Sequence, residues 1–294
     1  MTKVPGTRFW KLGIIGWPLG YSLSPRMHKA ALAAAGLKGD YGEFKVPPEE
    51  LGKWLETEAP KLDGFNVTMP HKQAVWEYVG KHGEFGKPFP DLVRDIGAVN
   101  TVQVRDGRLF GYNTDGPGFL EPFRRPGAFR GKEVLLLGAG GAARAIAVYL
   151  AYAEQVSSLR IWNRNPEKAK QLVKLVRGLR SPCRAGAVKD LDDFPLREMA
   201  LVVNATPTGM NRHEEAPVEC GRLRKGQVVY DIVYEPRETR LIHGARKQGC
   251  TVYTGDKMLA GQGAVAFEIW TGVPAAKALP VMKKALDEHF ASLH

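Results

Sequence analysis

Short apolar runs alternate along the first hundred residues with stretches whose apolar side chains recur every three or four positions. LGIIG at 12–16 is followed by SPRMHKAALAAAG at 24–36, YGEFKV at 41–46, PEELGKWLETEA at 48–59, DGFNV at 63–67 and HKQAVWEYV at 71–79. Strand and helix in turn imply βαβ units on a parallel sheet, because parallel neighbours need a crossover and a helix usually supplies it. AVNTVQV at 98–104 and RLFGYN at 108–113 flank Arg105, Asp106 and Gly107. An Asp-Gly step between alternating residues predicts a hairpin, added antiparallel to the same sheet.

The pattern restarts near Gly116, where the Pro- and Gly-rich FLEPFRRPGAFRG gives way to the buried run KEVLLLG and the helical GAARAIAVYLA. Alternation continues through LRIWN, NPEKAKQLVKLVRG, ALVVNATP, QVVYDIVY and CTVYTG, and two long helical patterns, MLAGQGAVAFEIWTG and PAAKALPVMKKALDEHF, close the chain. The fold class expected is α/β, with two α/β domains.

The 294 residues, 44% hydrophobic and 25% charged, suit a soluble protein of this kind. With no uninterrupted run of eighteen apolar residues and no signal-like start, a cytoplasmic protein away from the membrane is expected. Cys183, Cys220 and Cys250 are widely spaced with no CxxC pair, which predicts reduced packing thiols and no metal site. The net charge of +11 invites a nucleic-acid reading, but the basic residues in RRPGAFRGK, KLVRGLR and GRLRKG are scattered and lack interleaved aromatics. A positive field suits an anionic small-molecule substrate and a polyphosphate cofactor instead.

KEVLLLGAGGAARAIAVYL joins a buried strand, a glycine turn and an amphipathic helix, the context that lifts a glycine motif above chance as a dinucleotide site. The candidate cofactor turn is Gly138, Ala139, Gly140, Gly141 and Ala142: Gly138 permits the tight turn, the next two glycines let the backbone approach a pyrophosphate, and the helix start presents N–H groups to it. An ordinary tight turn of small residues is the plain alternative. An NAD site places an acid after the second strand, about twenty residues on. Asn163 and Arg164 stand there, with Lys168 one helical turn further, so the site suits a 2′-phosphate and NADP.

SLSP at 22–25, NVTMPHK at 66–72, AVNT at 98–101 and NTDG at 113–116 place hydroxyl, amide and charged groups on loops at strand ends, as a small polyhydroxylated acid would require. In order, SLSPRMH, FNVTMPHK, GAVNT, GYNTDGPGF, LGAGGAARAI, NRNPEKA, NATPTGM, DIVYEP and GDKMLAGQGAVAFEIWTG resemble the shikimate dehydrogenase family over nearly the whole chain. The resemblance implies a discontinuous substrate domain at 1–117 completed by 255–294, and a Rossmann-like NADP-binding domain at 118–254. It implies NADP-dependent reduction of 3-dehydroshikimate to shikimate, in aromatic amino-acid biosynthesis, with a homodimer as one expected assembly.

Carried over by motif, Ser22 and Ser24 would bind the substrate carboxylate; Thr68, Asn100, Asp115 and Gln262 would hold ring hydroxyls; and Tyr234 would border the pocket. Lys72 and Asp115 would be catalytic, the lysine passing the proton and the carboxylate holding it in place. Ala205, Thr206, Ile232, Gly255 and Met258 would meet the cofactor near its nicotinamide, where small or apolar side chains suit a ring in a dry slot, and counting back from Asn100 makes Asp91 the candidate acid beside it. Ser24 before Pro25 also predicts a helix N-cap. Lys29 stands where the family usually has Asn, Asn165 replaces its common Thr, and the 79–97 segment is longer than its usual link. Two rivals remain at this point: a quinate/shikimate dehydrogenase, and a non-catalytic NADP-binding regulator with the same fold.

Overall fold

The computed structural model describes residues 8–20, 22–88, 90–123, 127–210 and 215–293. The chain forms two compact units, Met1–Gly118 with Ala260–His294, and Phe119–Leu259.

The first unit runs β1 (Phe9–Gly16), α1 (Ser24–Ala34), β2 (Lys38–Lys45), α2 (Leu51–Thr57), β3 (Gly64–Val67), α3 (Lys72–His82), β4 (Glu84–Phe85), α4 (Pro90–Ile96), β5 (Thr101–Arg105), β6 (Arg108–Tyr112) and α5 (Asp115–Leu120). The strands lie in the order β2-β1-β3-β5-β6-β4. β1, β2 and β3 are parallel, while β5 runs antiparallel to both β3 and β6. The β5–β6 hairpin turns at Asp106 and Gly107, whose φ values of 50° and 75° match a two-residue turn twisted like the strands it joins. Part of the 79–97 segment is used by β4, which pairs parallel to β6. Ile15, Phe65, Val67, Val75, Val79, Val99 and Val102 belong to one buried cluster of this unit's core.

One expectation fails at the start of α1. Ser24 is the helix's first residue and not its cap; Leu23 holds that position with no side-chain bond. The N–H of Ser24 is instead met by the Ser22 hydroxyl at 3.3 Å. Pro25 occupies the first turn, where its missing N–H costs nothing.

The second unit contains β7 (Glu133–Leu137), α6 (Gly141–Tyr152), β8 (Ser158–Trp162), α7 (Pro166–Gly178), β9 (Arg184–Ala187), β10 (Leu201–Asn204), β11 (Val228–Asp231), α8 (Arg240–Lys247) and β12 (Thr251–Tyr253). Its strands are all parallel in the order β12-β11-β10-β7-β8-β9, so the chain winds outward from β7 in one direction and resumes at β10 in the other. Ligands in such sheets lie beyond the carboxyl ends of the strands where that reversal occurs, here β7 and β10. The chain continues into α9 (Gly255–Thr271) and α10 (Ala275–Ala291). The division falls inside α9 because Met258 belongs to the second unit's core, whereas Trp270 donates its indole N–H to Val102 on β5 at 2.9 Å.

Candidate functional site

Lys72 opens α3 and Asp115 opens α5, and their side chains meet. The ammonium Nζ donates to Asp115 Oδ2 at 2.6 Å, with the side chains 16% and 5% exposed. Local structure fixes both ends. The Lys72 carbonyl accepts Val99 N–H at 2.9 Å, and the Asp115 N–H donates to Asn113 Oδ1 at 3.1 Å in an Asx turn whose amide donates to Ala98 O at 3.0 Å. Beside Lys72, the His71 ring nitrogen Nε2 lies 2.7 Å from Val46 O, and burial holds its pKa below the usual histidine range. The imidazole is therefore neutral near pH 7 and brings no second positive charge to the ammonium.

Asn100 completes the group. Its Nδ2 donates to Asp115 Oδ1 and to Thr114 Oγ1, each at 2.9 Å, while its Oδ1 accepts Thr114 N–H at 2.7 Å. Because a backbone donor fills the oxygen, the amide nitrogen is turned toward the carboxylate. Gln262 from α9 brings Oε1 to 3.5 Å from both Asn100 Nδ2 and Thr114 Oγ1. Behind them, Asn66 accepts the Tyr41 hydroxyl at 2.7 Å and donates to Thr101 Oγ1 at 3.0 Å. A buried ion pair adds little net stability once desolvation is counted, so one inside a satisfied polar network is a candidate for chemistry. The group can hold a substrate oxygen and pass it a proton.

Ser24 is buried and Ser22 and Thr68 half-buried; Thr68 is anchored by its N–H on Ile15 O at 2.9 Å. Asp91 lies on α4, 88% exposed and paired with Arg94 at 2.6 Å.

In the second unit the expected cofactor residues gather at the ends of β7, β10 and β11. Gly138 has φ +114°, and a Cβ there would lie 2.6 Å from Ala205 O, so only glycine fits. Nothing lies within 4 Å of a Cβ position on Gly140, the N-cap of α6, which leaves the turn open to a phosphate. Ile232 N–H donates to Asn204 O at 3.0 Å, and a Cβ on Gly255 would collide with Ile232 O. Ala139 and Met258 belong to one buried cluster, with Ala142, Ala205 and Ile232 packed against it. Thr206 donates its hydroxyl to Asn204 Oδ1 at 2.6 Å, and Tyr234 is half-buried in the loop after β11. At the end of β8, Asn163 donates to Asn165 O at 2.9 Å. Arg164 and Lys168 are exposed, with no acidic partner among the described residues. Asn165 caps α7 by accepting Glu167 N–H at 3.0 Å. An open turn, a glycine cradle and two uncommitted cations fit a 2′-phosphorylated dinucleotide.

Three family models match in sequence along the chain: shikimate dehydrogenase substrate binding domain over residues 14–102, shikimate / quinate 5-dehydrogenase over 124–254, and shikimate 5'-dehydrogenase C-terminal domain over 257–286. The chain belongs to the shikimate dehydrogenase family. A shikimate dehydrogenase (NADP(+)) of Symbiobacterium thermophilum is 44% identical over 268 residues, covering 89% of this chain and 88% of its own. The Thermus thermophilus shikimate 5-dehydrogenase, solved with NADP(H) and shikimate, has a TM-score of 0.77 at 35% identity, covering 94% of this chain and 99% of that one. A ligand-free 5-ketofructose reductase of Gluconobacter sp. strain CHM43 has a TM-score of 0.82 at 34% identity, covering 97% and 100%. Lys72 and Asn100 lie inside the shikimate dehydrogenase substrate binding match, and Gln262 inside the C-terminal one. Asn66, Thr101 and Thr114, which link these side chains, were missed from sequence although each sits in a motif already singled out.

Proposed function

We propose that the protein is an NADP-dependent oxidoreductase that interconverts 3-dehydroshikimate and shikimate. The observation that carries this is the Lys72–Asp115 pair oriented by Asn100, within a chain of this family. The cofactor supplies the hydride. Lys72 donates a proton to the carbonyl oxygen as hydride reaches its carbon and recovers it in reverse, while Asp115 keeps the ammonium in place and Asn100 holds the carboxylate. Ser22 and Ser24 meet the substrate carboxylate, and Thr68, Asn100, Asp115 and Gln262 its hydroxyls, with Tyr234 bordering the pocket. Gly138 to Ala142, Ala205, Thr206, Ile232, Gly255 and Met258 hold the dinucleotide, and Asn163, Arg164 and Lys168 its 2′-phosphate end. No helix among the described residues is long and apolar enough to cross a membrane, and we place the enzyme in the cytoplasm, where its phosphorylated cofactor is kept.

The test is a steady-state assay of shikimate, quinate and 5-ketofructose with both nicotinamide cofactors. Shikimate with NADP should give the highest kcat/KM. A preference for quinate with NAD supports the quinate-oxidising rival, turnover of the sugar alone moves the substrate class, and no turnover at all supports a regulator.

A further inference from the structure

Asp231 ends β11 with a carboxylate enclosed by protein and, among the described residues, facing no cation. Three donors from three segments converge on it. Oδ1 accepts the Asn204 amide at 2.9 Å and the Val233 N–H at 3.1 Å, and Oδ2 accepts the Thr239 hydroxyl at 2.7 Å. Each donor controls a stretch of chain. Asn204 also donates to Thr208 O at 3.0 Å and accepts Thr206 N–H at 3.1 Å, so the turn after β10 is wrapped around its side chain. Val233 directly follows Ile232. Thr239 is the N-cap of α8, accepting Ile242 N–H at 3.2 Å, and Gly209, at φ +101°, packs the far end of the β10 turn against the Thr239 methyl.

A carboxylate in such a place is expensive. Burial pushes its pKa up to about 6 even though three donors pull the other way. The folded pKa lies above the unfolded one, so ionising the group as pH rises from about 4 to 6 removes stability. A carboxylate buried at such a cost, with donors drawn from separate segments, marks its surroundings as a candidate functional site.

We propose that Asp231 is a positioning residue for the nicotinamide half of the cofactor: its carboxylate ties the Ala205–Thr206 turn and the Ile232–Val233 turn to one point. The proposal rests on the assignment of those turns to the cofactor. It touches the nicotinamide end alone, since Arg164 and Lys168 lie beyond β8 and share no hydrogen bond with this hub.

The experiment measures direct binding of NADP, NAD and 2′,5′-ADP to wild type, Asp231→Ala and Asp231→Asn. The ADP compound reaches the 2′-phosphate site but has no nicotinamide. Asp231→Ala should weaken NADP and NAD alike, by about tenfold, the loss expected for charge-assisted hydrogen bonds, and leave 2′,5′-ADP unchanged. Asp231→Asn should restore most of the binding, because its oxygen still accepts from Asn204 and Val233 while the Thr239 hydroxyl turns to accept from its amide. Equal loss of all three ligands would show general damage and overturn the proposal, as would an Asp231→Ala protein that binds NADP like wild type. If Asp231→Ala does not fold, Thr239→Val, which keeps the shape and removes this donor together with the α8 cap, is read against the same ligands. It should weaken NADP by at least about threefold and spare 2′,5′-ADP, and a uniform or absent effect would again overturn the proposal. Wild type that binds neither nucleotide would overturn the cofactor reading, and this proposal with it.

Discussion

The Lys72 ammonium and the Asp115 carboxylate lie 2.6 Å apart, both largely withdrawn from water, at the first residues of two helices that begin 43 positions apart. Proton transfer and the orientation of the same group should therefore fail together. Lys72→Ala should lower kcat by about 10²–10⁴-fold, the range for a positioned acid or base, with a smaller change in KM. Asp115→Ala should also be severe, and the double variant little worse than the poorer single one. A cycle of kcat on folded variants decides this. Multiplied losses would make the two residues independent, and a Lys72→Ala enzyme with near-normal kcat would sink the mechanism.

Arg164 is exposed and uncommitted at the end of β8, so its loss should leave the fold intact. Arg164→Ala should weaken NADP by about 1.5–3 kcal/mol, the worth of charged hydrogen bonds, without comparable harm to NAD. The ratio of kcat/KM for the two cofactors measures this, and an unchanged ratio would move the 2′-phosphate elsewhere.

The alternation of strand and helix was legible from apolar spacing, and the hairpin from Asp106-Gly107, because those signals are local. β4 was not. Two residues carry no period, and its pairing with β6 is a long-range event. The same distinction runs through the site. Lys72, Asn100 and Asp115 stand out by residue type in their motifs, but Asn66 and Thr101 meet as directly opposed partners on antiparallel β3 and β5, a register no local spacing announces. Asp91 was reached only by counting back from Asn100, and it stands exposed beside Arg94 on α4. Asp231 was hidden for the opposite reason, since an acid that ends an apolar strand looks like the beginning of a turn.

Ser22 and Ser24 occupy the entry to α1, and their hydroxyls are neutral donors suited to a carboxylate. The Ser22→Ala/Ser24→Ala double variant should raise the shikimate KM at least about tenfold, the cost of two lost hydrogen bonds, with a lesser effect on kcat. Kinetics with shikimate varied at saturating NADP provide the check. An unchanged KM would place the carboxylate elsewhere in the unit.

His28 supplies the last expectation, and it concerns stability. Its imidazole is fully buried, stacked on Tyr41 with centroids 4.5 Å apart and planes within 2°, and 5.3 Å from the Trp270 ring. Burial pushes its pKa down to about 3, opposed by contact with the Asn66 side chain. The ring is therefore neutral in the folded protein, while the unfolded chain takes up a proton below its ordinary value of about 6.5. Stability from this group is complete above that pH and is lost as pH falls from there toward 3, at up to about 1.4 kcal/mol per pH unit. His28→Leu keeps an apolar side chain of similar size and cannot titrate. Urea midpoints of wild type and His28→Leu at pH 7, 6, 5 and 4 isolate the effect, because the opposite contribution of Asp231 is common to both proteins and cancels in the difference. The variant should lose stability at pH 7, where ring stacking is gone, and close the gap on wild type as the pH falls. Parallel curves would assign the acid sensitivity to other groups and leave His28 a packing residue only.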